Sequence, residues 1–223
     1  LQSIDVTKLS NINDWKIKIK DRKSRYPICL DYYYNEKSVN PYVFVKELSA
    51  FSSENDTIFV DTGCSIAWMM QAFEFKHGQR LFHDFNNTAM GYALPAAIAA
   101  KLARPQAPAI AFAGDGGFAM TMSELETAVR MNLDSLVVLV FNNNNYGTIS
   151  RHQNREFPGR PVGTGLGTID FSAIAKAMGA EGFKVSKNVE FSEAFKAALN
   201  VGCPAVIDIT VGGNSLDPWD DNN

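Results

Sequence analysis

Two apolar runs, each stopping abruptly on a polar island, constrain this chain more than any other feature. Ala109–Ala113 runs into Gly114-Asp115-Gly116-Gly117, and Leu136–Phe141 runs into Asn142-Asn143-Asn144-Asn145-Tyr146-Gly147. Short uninterrupted apolar runs of this kind fit strands buried on both faces. Between the two islands, Met120 to Asn132 reads as one helix. A strand, a turn, a helix and a second strand form one parallel βαβ unit, with both islands at carboxyl ends of strands.

The same rhythm extends in both directions. Pro41 at a first turn suits a helix over Tyr42–Phe51. Thr57–Val60 reads as a strand ending on Asp61-Thr62-Gly63, and Ser65 as the cap of a helix running to about Phe73. A short strand at Leu81–His83 precedes a small-residue helix at Met90–Leu102. Beyond the second island come a helix at Ser172–Met178 stopped by Gly179, a strand at Gly182–Val185, a helix at Phe191–Leu199 and a last strand at Ala205–Thr210. Strands alternating with helices imply an α/β fold: a doubly wound, mostly parallel sheet with helices on both faces. Sheets of this type bind ligands outside the carboxyl ends of their strands, at the point where the winding reverses.

Bulk properties narrow the function. The 223 residues are 46% hydrophobic and 20% charged, ordinary for a globular chain. A net charge of -3 offers no electrostatic case for nucleic acid or an anionic membrane, and no apolar stretch is long enough to span a bilayer. Three cysteines, Cys29, Cys64 and Cys203, with no C-x-x-C spacing, fit reduced thiols and a cytoplasmic location. Residues 1–40 are polar and Lys-rich with a Tyr32-Tyr33-Tyr34 cluster, and read as a linker or extended arm; 41–213 read as the domain and 214–223 as a flexible tail. So long a lead-in suggests a natural protein that continues toward its N-terminus.

The islands carry the chemistry. Gly114 lets the chain leave its strand sharply, Asp115 offers a carboxylate, and Gly116 and Gly117 leave the backbone open to a diphosphate at the start of a helix. The Asn143 side-chain oxygen and a loop carbonyl such as that of Asn145 add neutral oxygen ligands, and Gly147 again permits close approach. One carboxylate, amide oxygens and a diphosphate make the shell a hard divalent cation such as Mg²⁺ takes.

Gly114-Asp115-Gly116 followed by Asn142-Asn143 resembles the cofactor motif of the thiamine-diphosphate-dependent enzymes. Three further stretches agree. Asp61-Thr62-Gly63-Cys64-Ser65 lies where the family grips the distal phosphate. Asn87–Ala97 is similar to the G-x-M-G-x-x-L-P-A-A segment of the acetolactate synthase group, and Phe118 to Ala128 to that group's helix after G-D-G. The resemblance implies that Asp115, Asn143 and the Asn145 carbonyl hold Mg²⁺. It implies that the backbone of Cys64, Ser65, Gly116, Gly117, Tyr146 and Gly147 surrounds the diphosphate, that Gly114 and Thr148 also bind the cofactor, that the Thr88 carbonyl accepts from the aminopyrimidine, and that Met90 wedges the cofactor into a bent form. In that form the pyrimidine amine takes the thiazolium C2 proton, and the resulting ylid attacks a 2-oxoacid substrate.

The resemblance also implies what lies elsewhere. The activating glutamate belongs to a pyrimidine-binding domain, which nothing in this sequence matches, so that domain is expected from the same or another chain, and this one is expected to be inactive alone. The family norm is a homodimer or homotetramer. Where the acetolactate synthases place Met and Trp after the Asn motif, this chain has Thr148 and His152; His152 is a candidate proton relay or acceptor-orienting group, against the plainer reading of a solvated surface histidine. Arg151, Arg155 and Arg160 suit an anionic substrate or a solvated face equally. Two other classes remain in view. A nicotinamide or flavin Rossmann domain would want G-x-G-x-x-G after the first strand, which Asp61–Ser65 does not supply. A non-catalytic binding module could use the same sheet.

Overall fold

The computed structural model describes residues 12–212; the expected tail at 214–223 and residues 1–11 of the expected arm lie outside them. Six strands form a single sheet: β1 (Thr57–Val60), β2 (Arg80–Phe82), β3 (Ala109–Gly114), β4 (Leu136–Asn142), β5 (Glu181–Val185) and β6 (Ala205–Thr210), in the order β2-β1-β3-β4-β6-β5. Every pairing among these strands is parallel.

Parallel strands need covered faces, and alternate residues of each strand serve opposite layers. Ile110, Phe112, Val137, Leu139, Ile207 and Ile209 pack on one side with α2 (Pro41–Phe51), α3 (Cys64–Ala72) and α9 (Phe191–Asn200). Ala111, Ala113, Val138, Val140 and Val206 pack on the other with α4 (Ala93–Ala103), α5 (Asp115–Thr121), α6 (Glu124–Arg130) and α8 (Phe171–Ala177). The first layer is aromatic: Phe44 of α2 stacks on Phe112 with centroids 5.9 Å apart and meets Phe141 edge-on at 4.7 Å. The second mixes Phe59, Phe118 and Phe171 with alanines, Ala93 and Ala97 on α4 and Ala109, Ala111 and Ala113 on β3. The sheet is doubly wound, as its sequence rhythm implies.

The winding positions the site. From β1 the chain turns through α3 to β2, and from β3 it turns through α5 and α6 to β4, on the opposite face and in the opposite direction. The reversal leaves a gap between the carboxyl ends of β1 and β3.

Several local features differ from the sequence reading. The helix expected over Met120–Asn132 is two short ones, α5 beginning already at Asp115 and α6 at Glu124. The break at Met122-Ser123 lets Phe118 and Leu125 bury in the same layer. The helix expected from Met90 begins only at Ala93, because Gly91 sits at φ 84°, outside the helical region. Ser65 does not cap α3; Gly63 occupies the cap position and Ser65 is buried in the first turn. The arm is not extended throughout: α1 (Ile12–Arg25) is a helix with no buried residue. Nearer the domain it packs down, with Tyr33 buried and Val39 bridged in parallel to Val211 just beyond β6. Buried Asn188 pins this stretch, accepting from Asn40 N–H at 3.0 Å and donating to the Tyr33 carbonyl at 3.1 Å.

Candidate cofactor site

A cleft of about 300 Å³ opens at the β1/β3 gap. Three segments wall it: Asp61–Ser65 from the end of β1, Gly114–Gly117 from the end of β3, and Asn143–Ile149 leading from β4 into α7 (Gly147–Glu156). Thr88 and Met90 enter from the loop before α4, and Trp68 and Phe141 close the apolar side. Every residue expected from sequence to face a cofactor lines this one cleft: Cys64, Ser65, Thr88, Met90, Gly114, Asp115, Gly116, Gly117, Asn143, Asn145, Tyr146, Gly147 and Thr148. His152 does not. It is exposed on α7 with Arg155 Nη2 3.3 Å from its Nδ1. Arg155 pairs with Glu156 at 2.9 Å, and Arg160 is exposed beyond the helix.

The center of the cleft is an oxygen cluster. Asp115 is 4% exposed, and its Oδ1 accepts from Gly116 N–H at 2.8 Å. Its Oδ2 accepts from the N–H groups of Asn143 and Asn145, each at 3.2 Å. The same Asn145 N–H also donates to Asn143 Oδ1 at 3.0 Å, so the carboxylate and the amide oxygen converge on one hydrogen. Burial pushes the Asp115 carboxyl above its ordinary range, and the N–H groups of Gly116, Asn145, Asn143 and Asn144 pull it back.

The loop carrying these oxygens is held from outside. Tyr146 N–H donates to the Thr164 carbonyl at 2.9 Å and Leu166 N–H to the Asn144 carbonyl at 2.8 Å. At its root, Asn142 Nδ2 donates to Ile169 O and to buried Asp208 Oδ1, both at 3.1 Å, while Asp208 Oδ2 accepts from Phe171 N–H at 3.0 Å. Asp208 gave no sequence signal, since a lone acid inside the apolar strand Ala205–Thr210 shows its use only when Asn142 is seen beside it.

The paired glycines have reasons the sequence did not reveal. A Cβ on Gly116 would lie 2.3 Å from the Tyr146 ring, and one on Gly117 only 2.5 Å from Asp61 Oδ2. Both face the cleft, yet what they admit first is another part of the protein. Asp61 is 1% exposed and accepts from Thr62 N–H and Gly91 N–H, and burial raises its carboxyl as well. Across the mouth, Cys64 Sγ lies 3.6 Å from Thr148 Oγ1; burial raises that thiol, and the Thr148 hydroxyl opposes the rise. Among the described residues all three cysteines are free.

A hard cation fits this donor set. Asn145, whose N–H meets the Asp115 and Asn143 oxygens, has its own Oδ1 buried with no partner, so a residue of this cleft has acceptor capacity left over. No group of three or more His, Cys, Asp or Glu side chains that could hold a metal occurs among the described residues. An ion here would therefore draw on one carboxylate, amide and backbone oxygens, and oxygens of its ligand. No helix among the described residues is long and apolar enough to cross a membrane.

Comparison with known proteins agrees with this layout. Residues 61–209 match the family described as thiamine pyrophosphate enzyme, C-terminal TPP binding domain. The chain is 36% identical over 174 residues to the protein YdaP of Bacillus subtilis (strain 168), covering 78% of this chain and 30% of that one. It is 32% identical over 200 residues to the mitochondrial acetolactate synthase catalytic subunit of Aspergillus candidus, covering 87% and 28%. It is 32% identical over 178 residues to the catabolic acetolactate synthase of Raoultella terrigena, covering 79% and 31%. The chain thus spans about a third of the length of the curated relatives it matches. The matched residues run from the buried acid just after β1 to the penultimate residue of β6, and by that match the chain belongs to the C-terminal, cofactor-binding domain family of the thiamine pyrophosphate enzymes, within the acetolactate synthase-like group.

Proposed function

We propose that this chain is the diphosphate-binding part of a thiamine-diphosphate- and Mg²⁺-dependent enzyme that decarboxylates a 2-oxoacid and joins its remaining carbons to an acceptor. Asp115 Oδ, Asn143 Oδ1 and the Asn145 carbonyl would hold the metal. Cys64, Ser65, Gly114, Gly116, Gly117, Tyr146, Gly147 and Thr148 would enclose the diphosphate, with Thr88 and Met90 against the rings. The bound cofactor supplies a carbon nucleophile and an electron sink for loss of CO₂. The chain supplies position and fixed dipoles, and its apolar wall of Trp68 and Phe141 keeps water from one side of the cleft.

The observation that carries this reading is the convergence of the Asp115 and Asn143 oxygens on one N–H, that of Asn145, whose own buried Oδ1 has no partner. A Rossmann or non-catalytic reading gives no reason to bury a carboxylate among amides in this way. Within the proposal, residues 1–40 link to further domains and 41–213 are the diphosphate domain. The activating carboxylate comes from a pyrimidine-binding domain of the same or another chain, in a cytoplasmic homodimer or homotetramer, and the transferase or lyase chemistry needs both halves.

Calorimetry tests it. Thiamine diphosphate should bind in the presence of Mg²⁺ and not in EDTA, Asp115→Ala should abolish the binding, and NADH should not compete. Binding that ignores both the metal and Asp115 would refute the proposal.

A further inference from the structure

The loop that brings Met90 into the cleft is gripped at a single residue. Gly91 N–H donates to both oxygens of Asp61, at 3.1 and 2.9 Å, and the Gly91 carbonyl accepts from the Thr121 hydroxyl at 3.1 Å. Gly91 sits at φ 84°, and a Cβ there would lie 2.7 Å from Thr121 Cγ2, so no other residue fits between the two holders. Asp61 is itself held, since Thr62 N–H binds its Oδ1 at 2.8 Å and its Oδ2 faces Gly117 so closely that a Cβ there would lie 2.5 Å away. Thr121 is the last residue of α5, whose first residue is Asp115.

The geometry points to Asp61 and Thr121 as positioning residues that clamp Gly91 through the peptides on its two sides and so set the height of Met90 in the cleft. A methionine side chain is flexible, so its backbone must be rigid if it is to act as a wedge. Met90 is 37% exposed, consistent with a side chain placed by its backbone and not by packing around it. The clamp ties the wedge to β1 through Asp61 and to the helix bearing Asp115 through Thr121. One short helix thereby carries the proposed metal carboxylate at one end and the wedge's tether at the other. This assignment rests on the cofactor reading above for what Met90 touches; the clamp itself is a property of the protein alone.

The test separates the two ends of the ligand. The full chain is titrated with thiamine diphosphate plus Mg²⁺ and, separately, with inorganic pyrophosphate plus Mg²⁺. Thr121→Val keeps the side chain's shape and removes the hydroxyl; it should weaken thiamine diphosphate about three- to tenfold, the scale of one hydrogen bond, and leave pyrophosphate within about twofold. Met90→Ala should show the same selective loss, and adding Thr121→Val to it should change affinity by less than about twofold, because both act through one contact. Equal losses for the two ligands, or independent effects of the two substitutions, would overturn the assignment. Hydrogen exchange at the Gly91 amide gives a reading that needs no ligand: protection in the wild type and faster exchange in Asp61→Asn, whose NH₂ must face one of the donors the carboxylate accepts. Unchanged exchange overturns the clamp. A wild-type chain that binds neither ligand while Gly91 exchange responds to Asp61→Asn refutes the cofactor reading and leaves the clamp standing.

Discussion

Gly117→Ala sets two physical rules against each other. Gly117 lies in the first turn of α5 and is not among the glycines with positive φ. Helix propensity alone therefore predicts that alanine stabilises the protein by about 0.5–1 kcal/mol. The structure predicts the opposite sign. The new Cβ would sit 2.5 Å from Asp61 Oδ2 and 3.1 Å from its Cγ. Asp61 cannot yield without stretching its bonds to Thr62 and Gly91. Overpacking of this kind costs about 1–3 kcal/mol, and a charge-assisted hydrogen bond lost in the process about 1.5–3 more. Partial relaxation and the propensity gain leave a net loss of roughly 2–4 kcal/mol, which lowers Tm by about 5–15 °C in a chain of this size. Gly114→Ala is the control: nothing lies within 4 Å of its would-be Cβ, and its effect should stay within about 0.5 kcal/mol. Urea unfolding followed by Trp fluorescence measures both. In the Asp61→Ala background, Gly117→Ala should recover at least about 1 kcal/mol of its cost. A Gly117→Ala protein as stable as the wild type would refute the steric argument and remove the ground for regarding Asp61 as immobile.

Other perturbations follow from the same contacts. Asp61, Asp115 and Asp208 all have carboxyls raised by burial, so the fold favours their neutral forms. Their contribution to stability is full below the unfolded carboxyl range near about pH 4 and is lost as pH rises through the folded values. Tm of the ligand-free chain, followed by scanning fluorimetry, should therefore rise as pH is lowered through the folded carboxyl values toward the unfolded range, while affinity for Mg²⁺ and thiamine diphosphate falls as protons compete at Asp115; parallel trends would contradict this. Asp208→Ala strips acceptors from Asn142 Nδ2 and Phe171 N–H and should cost about 2–4 kcal/mol in urea unfolding, with a smaller loss of Mg²⁺ affinity than Asp115→Ala. Asp170 caps α8 at Ala173 N–H, and its carboxyl is held down at about 2 by Lys184. Asp170→Ala should cost about 1 kcal/mol at neutral pH, and its difference from the wild type should close as pH falls from about 4 toward 2, since that stabilisation belongs to the charged carboxylate.

Strand and helix rhythm was legible because it depends on local patterning. Leu136 to Phe141 reads as a buried strand from its own residues, and β1 and β6 begin and end where their apolar runs do. The helix boundaries that failed did so for nonlocal reasons. Nothing in Met120–Asn132 signals a break at Met122; the break serves the burial of Phe118 and Leu125 against residues of other elements. Met90 carries a good helix former's propensity, and the positive φ of Gly91, held by Asp61 and Thr121, keeps it out of α4. Within the arm, Tyr33 is indistinguishable by sequence from Tyr32 and Tyr34, yet it is 2% exposed and they are 59% and 42%. The Tyr33 ring stacks on Tyr42 with centroids 6.0 Å apart, and its backbone carbonyl is held by Asn188 from the far side of the sequence.

The sequence by itself determined the layer architecture and which residues stand at the carboxyl ends of strands, because strand period, turn residues and βαβ connection are local and chiral. Tertiary structure alone decided which of those ends become neighbours. Strand order brings β1 beside β3 and β3 beside β4, so three islands far apart in the chain face one cleft, while His152, exposed on α7, does not line it. It also decided the uses of Gly117, Asp61 and Asp208. Each is defined by a contact with a distant residue, and contacts of that kind carry no signature in the local order of amino acids.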